Sequence, residues 1–379
     1  MKKGDFINMK IVITGGHHNS ALPVIEKLKE KAPAVEIFWI GHKYSMEGDT
    51  NPTLEYREIT GLHIPFFELK AGKVYKTYDL GRLLKVPFGL LQALYFLIKI
   101  KPDVILSFGG YIAAPVVVAG SVLGIPSLTH EQTVTAGYAN KLISIFAKKV
   151  MISWHESENF FPKKKILYTG LPLRNSIFEV NSNSFHTDNT VPTIYISAGK
   201  TGSHIINETI LNCLEKLLSF CNVIHQTGDN SNFNDYEKLF AKYSDLKNSV
   251  RGRYFVRKFV FENEIGEAYN LSKLVISRAG AHTVSEVLAL KKPCILIPIP
   301  WVSHNEQYKN AEMVKNNGLA EIIDQKDITP LVLVEKIKYC LENLDHFQLK
   351  NDRILEFLKQ DPADLIANEV IKLSKSKKG

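Results

Sequence analysis

At 379 residues the chain is long enough for two domains rather than one. With 45% hydrophobic and 23% charged residues it can bury an ordinary globular core, which excludes a disordered or fibrous chain. A net charge of +8 favours anionic partners, but the basic residues are spread along the chain, so no nucleic acid partner is expected.

Residues 1–9 carry lysines with no apolar segment behind them, because Ile11-Val12-Ile13 runs directly into glycines; no secretory signal is expected. Apolar runs of strand length then alternate with helical patterns. They fall at 10–14, 36–40, 104–108, 127–130 and 150–153 in the first half, and at 193–197, 223–226, 254–256, 274–277 and 294–298 in the second. Such alternation predicts parallel sheets covered by helices on both faces. The longest apolar stretch, 86–100, is broken by Pro87, Gln92 and Lys99, and falls short of the ~20 residues a spanning helix needs. With Arg82, Lys85, Lys99 and Lys101 at its flanks, 83–101 reads either as an interfacial helix on anionic lipid or as a buried helix of the first domain.

Residues 181–192 are polar, aperiodic and rich in Asn, Ser and Thr, the composition of a linker. Each half on either side begins with a strand that enters a glycine loop: Thr14-Gly15-Gly16-His17, and Ala198-Gly199-Lys200-Thr201-Gly202. The expected architecture is α/β: two doubly wound, Rossmann-like domains facing a cleft. The expected boundaries are 9–180, 193–355, and a C-terminal helix with a basic tail at 356–379. The four cysteines, Cys213, Cys221, Cys294 and Cys340, have no C-x-x-C spacing and apolar neighbours, so they read as buried thiols of a reducing compartment.

Several loops carry chemistry. Gly199 and Gly202 let backbone amides turn toward a phosphate at a helix N-terminus, or serve a plain strand–helix turn. A P-loop is excluded, because Ile194 stands where that motif needs glycine, and no G-x-G-x-x-G opens a strand–helix turn. His17 and His18 end the first strand, where a histidine acts as a general base or simply bonds its loop. Thr283 and Glu286 have capping-box spacing, and a carboxylate there is also placed for ribose hydroxyls. His130-Glu131-Gln132 is no zinc-peptidase signature, since position 134 is Val. No metal-ligand spacing appears, so a metal-independent mechanism without cofactors is expected.

In order and spacing, certain blocks form one pattern. They are Thr14-Gly15-Gly16-His17, Gly109-Gly110-Tyr111, His130-Glu131-Gln132, Ala136-Gly137 with Asn140-Lys141, Thr169-Gly170 with Pro172 and Arg174, Ser277-Arg278-Ala279-Gly280-Ala281 with Thr283-Val284-Ser285-Glu286, and Asn305 with Gln307 and Asn310-Ala311. On these residues the chain resembles the MurG family of peptidoglycan glycosyltransferases, family 28, of GT-B fold. The resemblance implies an inverting transfer of N-acetylglucosamine from UDP-GlcNAc to the 4-hydroxyl of undecaprenyl-pyrophosphoryl-MurNAc-pentapeptide (lipid I). It implies His17 as the catalytic base. For the donor it implies Gly15, Gly16, Arg174, Gly199, Lys200, Thr201, Gly202, Ala281, His282, Thr283, Glu286 and Gln307. For the acceptor it implies Tyr111, Glu131 and Thr133. It further implies a cytoplasmic enzyme, peripheral on the anionic inner face of the cell membrane. The chain departs from the family's usual residues at Val12, Ile13, Thr133, Leu171, Lys200 and Glu306. Other readings are a UDP-sugar lipid glycosyltransferase with another acceptor, a UDP-N-acetylglucosamine 2-epimerase, and a catalytically idle UDP-sugar-binding homologue.

Overall fold

The structure, a computed structural model, describes residues 9–44, 52–71, 80–199, 202–230, 232–302, 305–350, 354 and 360–376, without the side chains of 80–86. The chain divides into two units: Met1–Arg174 with Phe357–Gly379, and Asn175–Glu356.

The first unit holds seven parallel strands: β1 (Lys10–Thr14), β2 (Glu36–Gly41), β3 (Phe66–Glu68), β4 (Val104–Ser107), β5 (Ser127–Glu131), β6 (Lys149–Ile152) and β7 (Ile166–Tyr168), in the order β3-β2-β1-β4-β5-β6-β7. Its helices are α1 (His18–Lys31), α2 (Leu54–Gly61), α3 (Leu80–Ile100), α4 (Ala113–Val122) and α5 (Tyr138–Phe146). A strand covered on both faces has no polar side, which is why β1 is an unbroken apolar run. Ile11 and Ile13 enter one core with Val24 and Leu28 of α1, while Val12 enters the opposite core with Leu97 of α3 and Val116 of α4.

The second unit holds β8 (Thr193–Ser197), β9 (Asn222–Gln226), β10 (Tyr254–Arg257), β11 (Ser272–Ser277), β12 (Cys294–Leu296) and β13 (Ala320–Ile322), parallel in the order β10-β9-β8-β11-β12-β13. Its helices are α6 (His204–Leu218), α7 (Asp235–Leu246), α8 (Glu262–Leu271), α9 (Ala281–Ala289), α10 (Glu306–Asn316) and α11 (Pro330–Glu342). All four cysteines are buried and unbridged, and burial pushes the thiols of Cys213 and Cys340 up to about 12.

Two expected boundaries change. The last helix, α12 (Pro362–Lys375), is not an appendage: Ala363, Ile366, Ala367 and Val370 complete the core beneath β1 and α1. The polar segment 181–192 is not a free linker either. Glu267 of α8 accepts the Ser184 amide at 2.8 Å, the Phe185 amide at 3.0 Å and the Ser182 hydroxyl. Asn222 donates to the carbonyls of Asp188 and Val191 at 2.8 and 3.1 Å. Gly266 supplies the room, since a Cβ there would lie 1.8 Å from the Glu179 carbonyl oxygen. The segment is polar because buried side chains satisfy its backbone, an alternative to solvation by water.

Candidate functional site

In doubly wound sheets, ligands bind beyond the carboxyl ends of the strands, where the strand order reverses. In the first unit that point lies between β1 and β4. Gly15 turns the chain out of β1 at φ +125°, and a Cβ there would lie 2.6 Å from the Gly109 carbonyl oxygen. Gly109 and Gly110, at φ +78° and +82°, turn the loop after β4. The loops after β1 and β4 are therefore in direct contact, and both need glycine.

The two histidines after β1 have different occupations. His18 Nε2 lies 2.9 Å from Glu58 Oε2 of α2, so it is engaged. His17 is accessible to solvent, yet the atoms crowded around it push its pKa below the usual histidine value, burial first and His18 second. It is thus a neutral imidazole at pH 7 that a substrate can reach. Tyr111 is half-buried, and its hydroxyl hydrogen-bonds His42 Nε2 just beyond β2. Burial, then the Glu55 carboxylate, raises its pKa.

Glu131 is occupied by its own loop. Its Oε1 accepts the amides of Gln132 and Thr133 at 2.9 and 3.2 Å, and Oε2 accepts Asn140 Nδ2 at 2.8 Å. Burial raises its pKa against the pull of these bonds. The Thr133 hydroxyl donates to the Thr135 carbonyl at 2.7 Å. Both residues are buried and shape the loop after β5. The buried His130 closes the same region with a 2.8 Å bond to the Gly170 carbonyl, and burial lowers its pKa to about 4. Sequence reasoning passed over Asn140 as a builder of this site. Its signal is the pair of glycines after β4, because a Cβ on Gly109 would lie 2.6 Å from Asn140 Nδ2.

In the second unit the order reverses between β8 and β11. Gly199 and Gly202, at φ +75° and +71°, carry the chain from β8 to α6. A Cβ on Gly202 would lie 1.8 Å from the Thr227 carbonyl oxygen, so that position admits only glycine. Gln226 braces the loop by donating to the Gly199 carbonyl at 2.9 Å. Lys200 and Thr201, between the two glycines, lie outside the described residues.

Helix α9 begins earlier than the capping-box spacing predicts. Its N-cap is Gly280 in extended conformation, with no side-chain cap. Thr283 is therefore the third helical residue and not the N-cap, so a capping box does not account for Glu286. Glu286 lies one turn further on, buried, with Oε2 accepting the Tyr269 hydroxyl at 2.6 Å. Ala281, His282 and Thr283 form the first turn and are partly exposed. Gln307 Oε1 accepts the Ile299 amide at 3.1 Å, and Asn310 donates to the Ala279 carbonyl at 3.0 Å. These two bonds join α10 to the loops after β12 and β11.

The predicted residues thus assemble into two groups. Gly15, Gly16, His17, Tyr111, Glu131 and Thr133 gather at the ends of β1, β4 and β5. Gly199, Gly202, Ala281, His282, Thr283, Glu286 and Gln307 gather at the ends of β8, β11 and β12. Arg174 is half-buried at the last residue of the first unit's long segment. Among the described residues, no group of three His, Cys, Asp or Glu side chains is arranged to hold a metal ion.

A further surface belongs to the first unit. On α3 the side chains of Phe88, Leu91, Tyr95 and Ile98 repeat every three or four residues and are 55–65% exposed. On α5, Tyr138, Leu142 and Ile145 are exposed at the same spacing, and both helices pack against α4. Lys99, Lys101 and Lys148 lie exposed beside them. Phe96 does not share this face: it is half-buried, its ring 5.2 Å from that of Phe67. The side chains of Arg82 and Lys85 lie outside the described residues. No helix among the described residues is long and apolar enough to cross a membrane.

Comparison with known proteins matches both halves to one family. Residues 11–152 match the glycosyltransferase family 28 N-terminal domain, and 193–366 match the glycosyltransferase family 28 C-terminal domain. A Borrelia hermsii protein is 31% identical over 95% of this chain and 94% of its own length, and a Clostridium kluyveri protein is 33% identical over 87% and 90%. Both are named UDP-N-acetylglucosamine--N-acetylmuramyl-(pentapeptide) pyrophosphoryl-undecaprenol N-acetylglucosamine transferase. The crystal structure of Acinetobacter baumannii MurG is similar at 25% identity and a TM-score of 0.69, covering 96% of this chain and 99% of that one. A putative UDP-N-acetylglucosamine 2-epimerase from Listeria monocytogenes shares the fold at 10% identity and a TM-score of 0.63.

Proposed function

The chain belongs to glycosyltransferase family 28, with the GT-B fold of two Rossmann-like domains, and from that premise we infer that it transfers N-acetylglucosamine from UDP-N-acetylglucosamine to undecaprenyl-pyrophosphoryl-N-acetylmuramyl-pentapeptide in peptidoglycan synthesis. The end-to-end match to transferases of that name carries this reading. The residues at the two switch points support it.

In the proposed reaction the 4-hydroxyl of the muramyl sugar attacks the donor's anomeric carbon from the face opposite the diphosphate. A carbon–oxygen bond forms, the bond to the diphosphate breaks, and UDP leaves with the electron pair. His17 takes the hydroxyl proton; its lowered pKa keeps it neutral and ready for this role. Negative charge grows on the departing diphosphate. The N-termini of α6 and α9, neither capped by the side chain of its own N-cap residue, are assigned to that charge through their backbone amides and the positive ends of their dipoles. The step is proposed to need no metal and no cofactor.

Glu286, held by Tyr269, is assigned to the ribose hydroxyls, and Ala281, His282 and Thr283 to the donor's surroundings. Lys200, Thr201, Gln307 and Arg174 are kept as donor contacts, with Gly15 and Gly16 as the loop that admits the reacting groups. Tyr111 is assigned to the acceptor. Glu131 and Thr133 are assigned to shaping the acceptor loop rather than touching it, because their polar atoms already serve that loop.

Incubation with radiolabelled UDP-N-acetylglucosamine and a short-chain lipid I analogue is expected to give a labelled disaccharide-lipid. Tight donor binding without that product would shift the reading to another acceptor or to an idle homologue.

We further propose that the exposed faces of α3 and α5 rest on the anionic inner face of the cell membrane, which makes the protein peripheral and cytoplasmic. An apolar stripe flanked by lysines is the pattern of an interfacial helix. Replacing Leu91 and Tyr95 with Ser is expected to weaken binding to phosphatidylglycerol vesicles by ~10-fold or more, on the order of 1.5–3 kcal/mol per large apolar side chain. Binding of the wild type should also weaken with salt. Phe96→Ser is the wrong probe, since that ring packs inward. Equal binding by both proteins would refute the surface.

A further inference from the structure

The polar side chains at the end of β2 form a connected set that the proposed reaction leaves unused. Strand β2 ends at Gly41, and a Cβ there would lie 2.1 Å from Glu55 Oε1 and 2.6 Å from Trp39 Nε1. The glycine makes room for Glu55 of α2, whose Oε1 accepts the indole N–H of the buried Trp39 at 2.9 Å. Burial raises the pKa of that carboxyl, against hydrogen bonds from the Trp39 indole and the His42 amide.

His42, the next residue, is held at both of its peptide groups. Its amide is taken by Glu55, and its carbonyl accepts the Thr53 hydroxyl at 3.0 Å. Thr53 is the N-cap of α2 and donates its own amide to the Lys43 carbonyl at 2.7 Å. The backbone of His42 is thereby tied to the first turn of α2. Its ring meets Tyr111: the ring centroids are 5.1 Å apart, and the Tyr111 hydroxyl and His42 Nε2 share a hydrogen bond. The two residues follow strands on opposite sides of β1, since the sheet runs β2-β1-β4. Their bond therefore bridges the end of β1, the strand that His17 follows. The Tyr111 ring itself packs against the core that α3 and α4 cover.

We propose that His42 is the positioning residue of Tyr111: it fixes the phenol hydroxyl beside the end of β1, so that the lipid-linked sugar acceptor meets it already oriented. The inference rests on the reading that Tyr111 contacts that acceptor. Ordering a free tyrosine side chain on binding costs entropy, and a bond formed beforehand removes that cost. The phenol oxygen can still make a second hydrogen bond, because a phenol both donates and accepts. Whichever nitrogen of His42 carries the ring proton, the oxygen stays in the same place. Glu55 and Thr53 act one step further out, through the backbone of the histidine.

The test is the steady-state kinetics of the full chain with UDP-N-acetylglucosamine and a short-chain lipid I analogue. Tyr111→Phe is expected to raise KM for the acceptor by ~3–10-fold, the range of one lost hydrogen bond, with kcat and the donor KM within about twofold. His42→Ala should repeat that pattern, with an acceptor KM raised by about threefold or more. Added to Tyr111→Phe, it should cost less than about twofold more, because no hydroxyl is left to position. His42→Gln should recover most of the loss, since its amide ends near where Nε2 stood. His42→Asn, which ends nearer Nδ1, should not. An effect of His42→Ala that falls equally on both substrates, or that adds in full to Tyr111→Phe, overturns the inference, and so does a Gln variant no better than Asn. An acceptor KM unchanged in Tyr111→Phe also overturns it, while leaving the transfer reaction in place. A wild type that binds UDP but yields no product overturns the transfer reading, and the inference falls with it.

Discussion

His17→Ala is expected to lower kcat by ~10²–10⁴-fold, the usual contribution of a positioned base, while UDP affinity stays within about twofold. The separation follows from the chain itself: His17 lies at the end of β1 in the first unit, whereas Glu286, assigned to the ribose, and the Gly199–Gly202 loop lie in the second. Because its pKa is below the ordinary histidine value, the basic form persists in mildly acid solution. The acid limb of a kcat–pH profile is therefore expected below pH ~6.5, and it should vanish in the variant. His18→Ala is the control. His18 is engaged by Glu58, so its loss should cost less than about tenfold in kcat. A large loss of UDP affinity in His17→Ala, or equal kcat losses in both variants, would remove His17 from the base role.

The second large effect is on stability in acid. His130 and His225 are fully buried, and burial lowers their pKa values to about 4 and about 3. Unfolded, each titrates near ~6.5, so between these values the unfolded chain binds more protons than the folded one. Stability is full above pH ~6.5 and falls as pH drops toward the folded pKa, by about 3 kcal/mol for each histidine near pH ~4.5. In the first unit, Glu131 and Glu55 act in the opposite sense, since burial raises their pKa values and their contribution is lost as pH rises. In the second unit, Glu267 works with His225. Burial would raise its pKa, but hydrogen bonds from Ser182, Ser184 and Phe185 outweigh burial and lower it, so protonating it also costs stability. Urea unfolding of the full chain should show a clearly lower midpoint at pH 4.5 than at pH 7.5, and His225→Gln should recover part of the difference. Equal midpoints at both pH values would contradict this account.

Ten of the strands were legible in the sequence because strands buried on both faces leave unbroken apolar runs such as Ile11-Val12-Ile13. The three strands that were missed, β3, β7 and β13, are both three residues long and at sheet edges, where one-sided burial leaves little pattern. The glycine loops announced themselves, since a side chain at Gly15 or Gly202 would strike backbone and one at Gly109 would strike the Asn140 side chain. The polar scaffolding was hidden because it acts across long sequence separations. Glu267 binds residues 82–85 positions away, and Asn310 binds a carbonyl 31 positions away. Thr283 and Glu286 misled for a local reason: the spacing fits a capping box, but Gly280 starts the helix three residues sooner. Arg278 was visible only as a member of a motif. Its signal is three-dimensional: a buried guanidinium that donates to the Ser203 hydroxyl and the Ile297 carbonyl, residues 75 and 19 positions away.

Helix α12 lies beside β1 although more than 340 residues separate them in sequence. The second unit is therefore an insertion within the first, and synthesis order matters. A nascent chain emerges at ~5–20 residues per second and ordinarily completes its N-terminal domain first. Here the first unit's sheet must wait, with Met9, Ile11 and Leu28 uncovered, until the second unit has been made and α12 follows it out. The first unit is thus finished only after the second is already present, so a ribosome that stalls early leaves the first unit's core open.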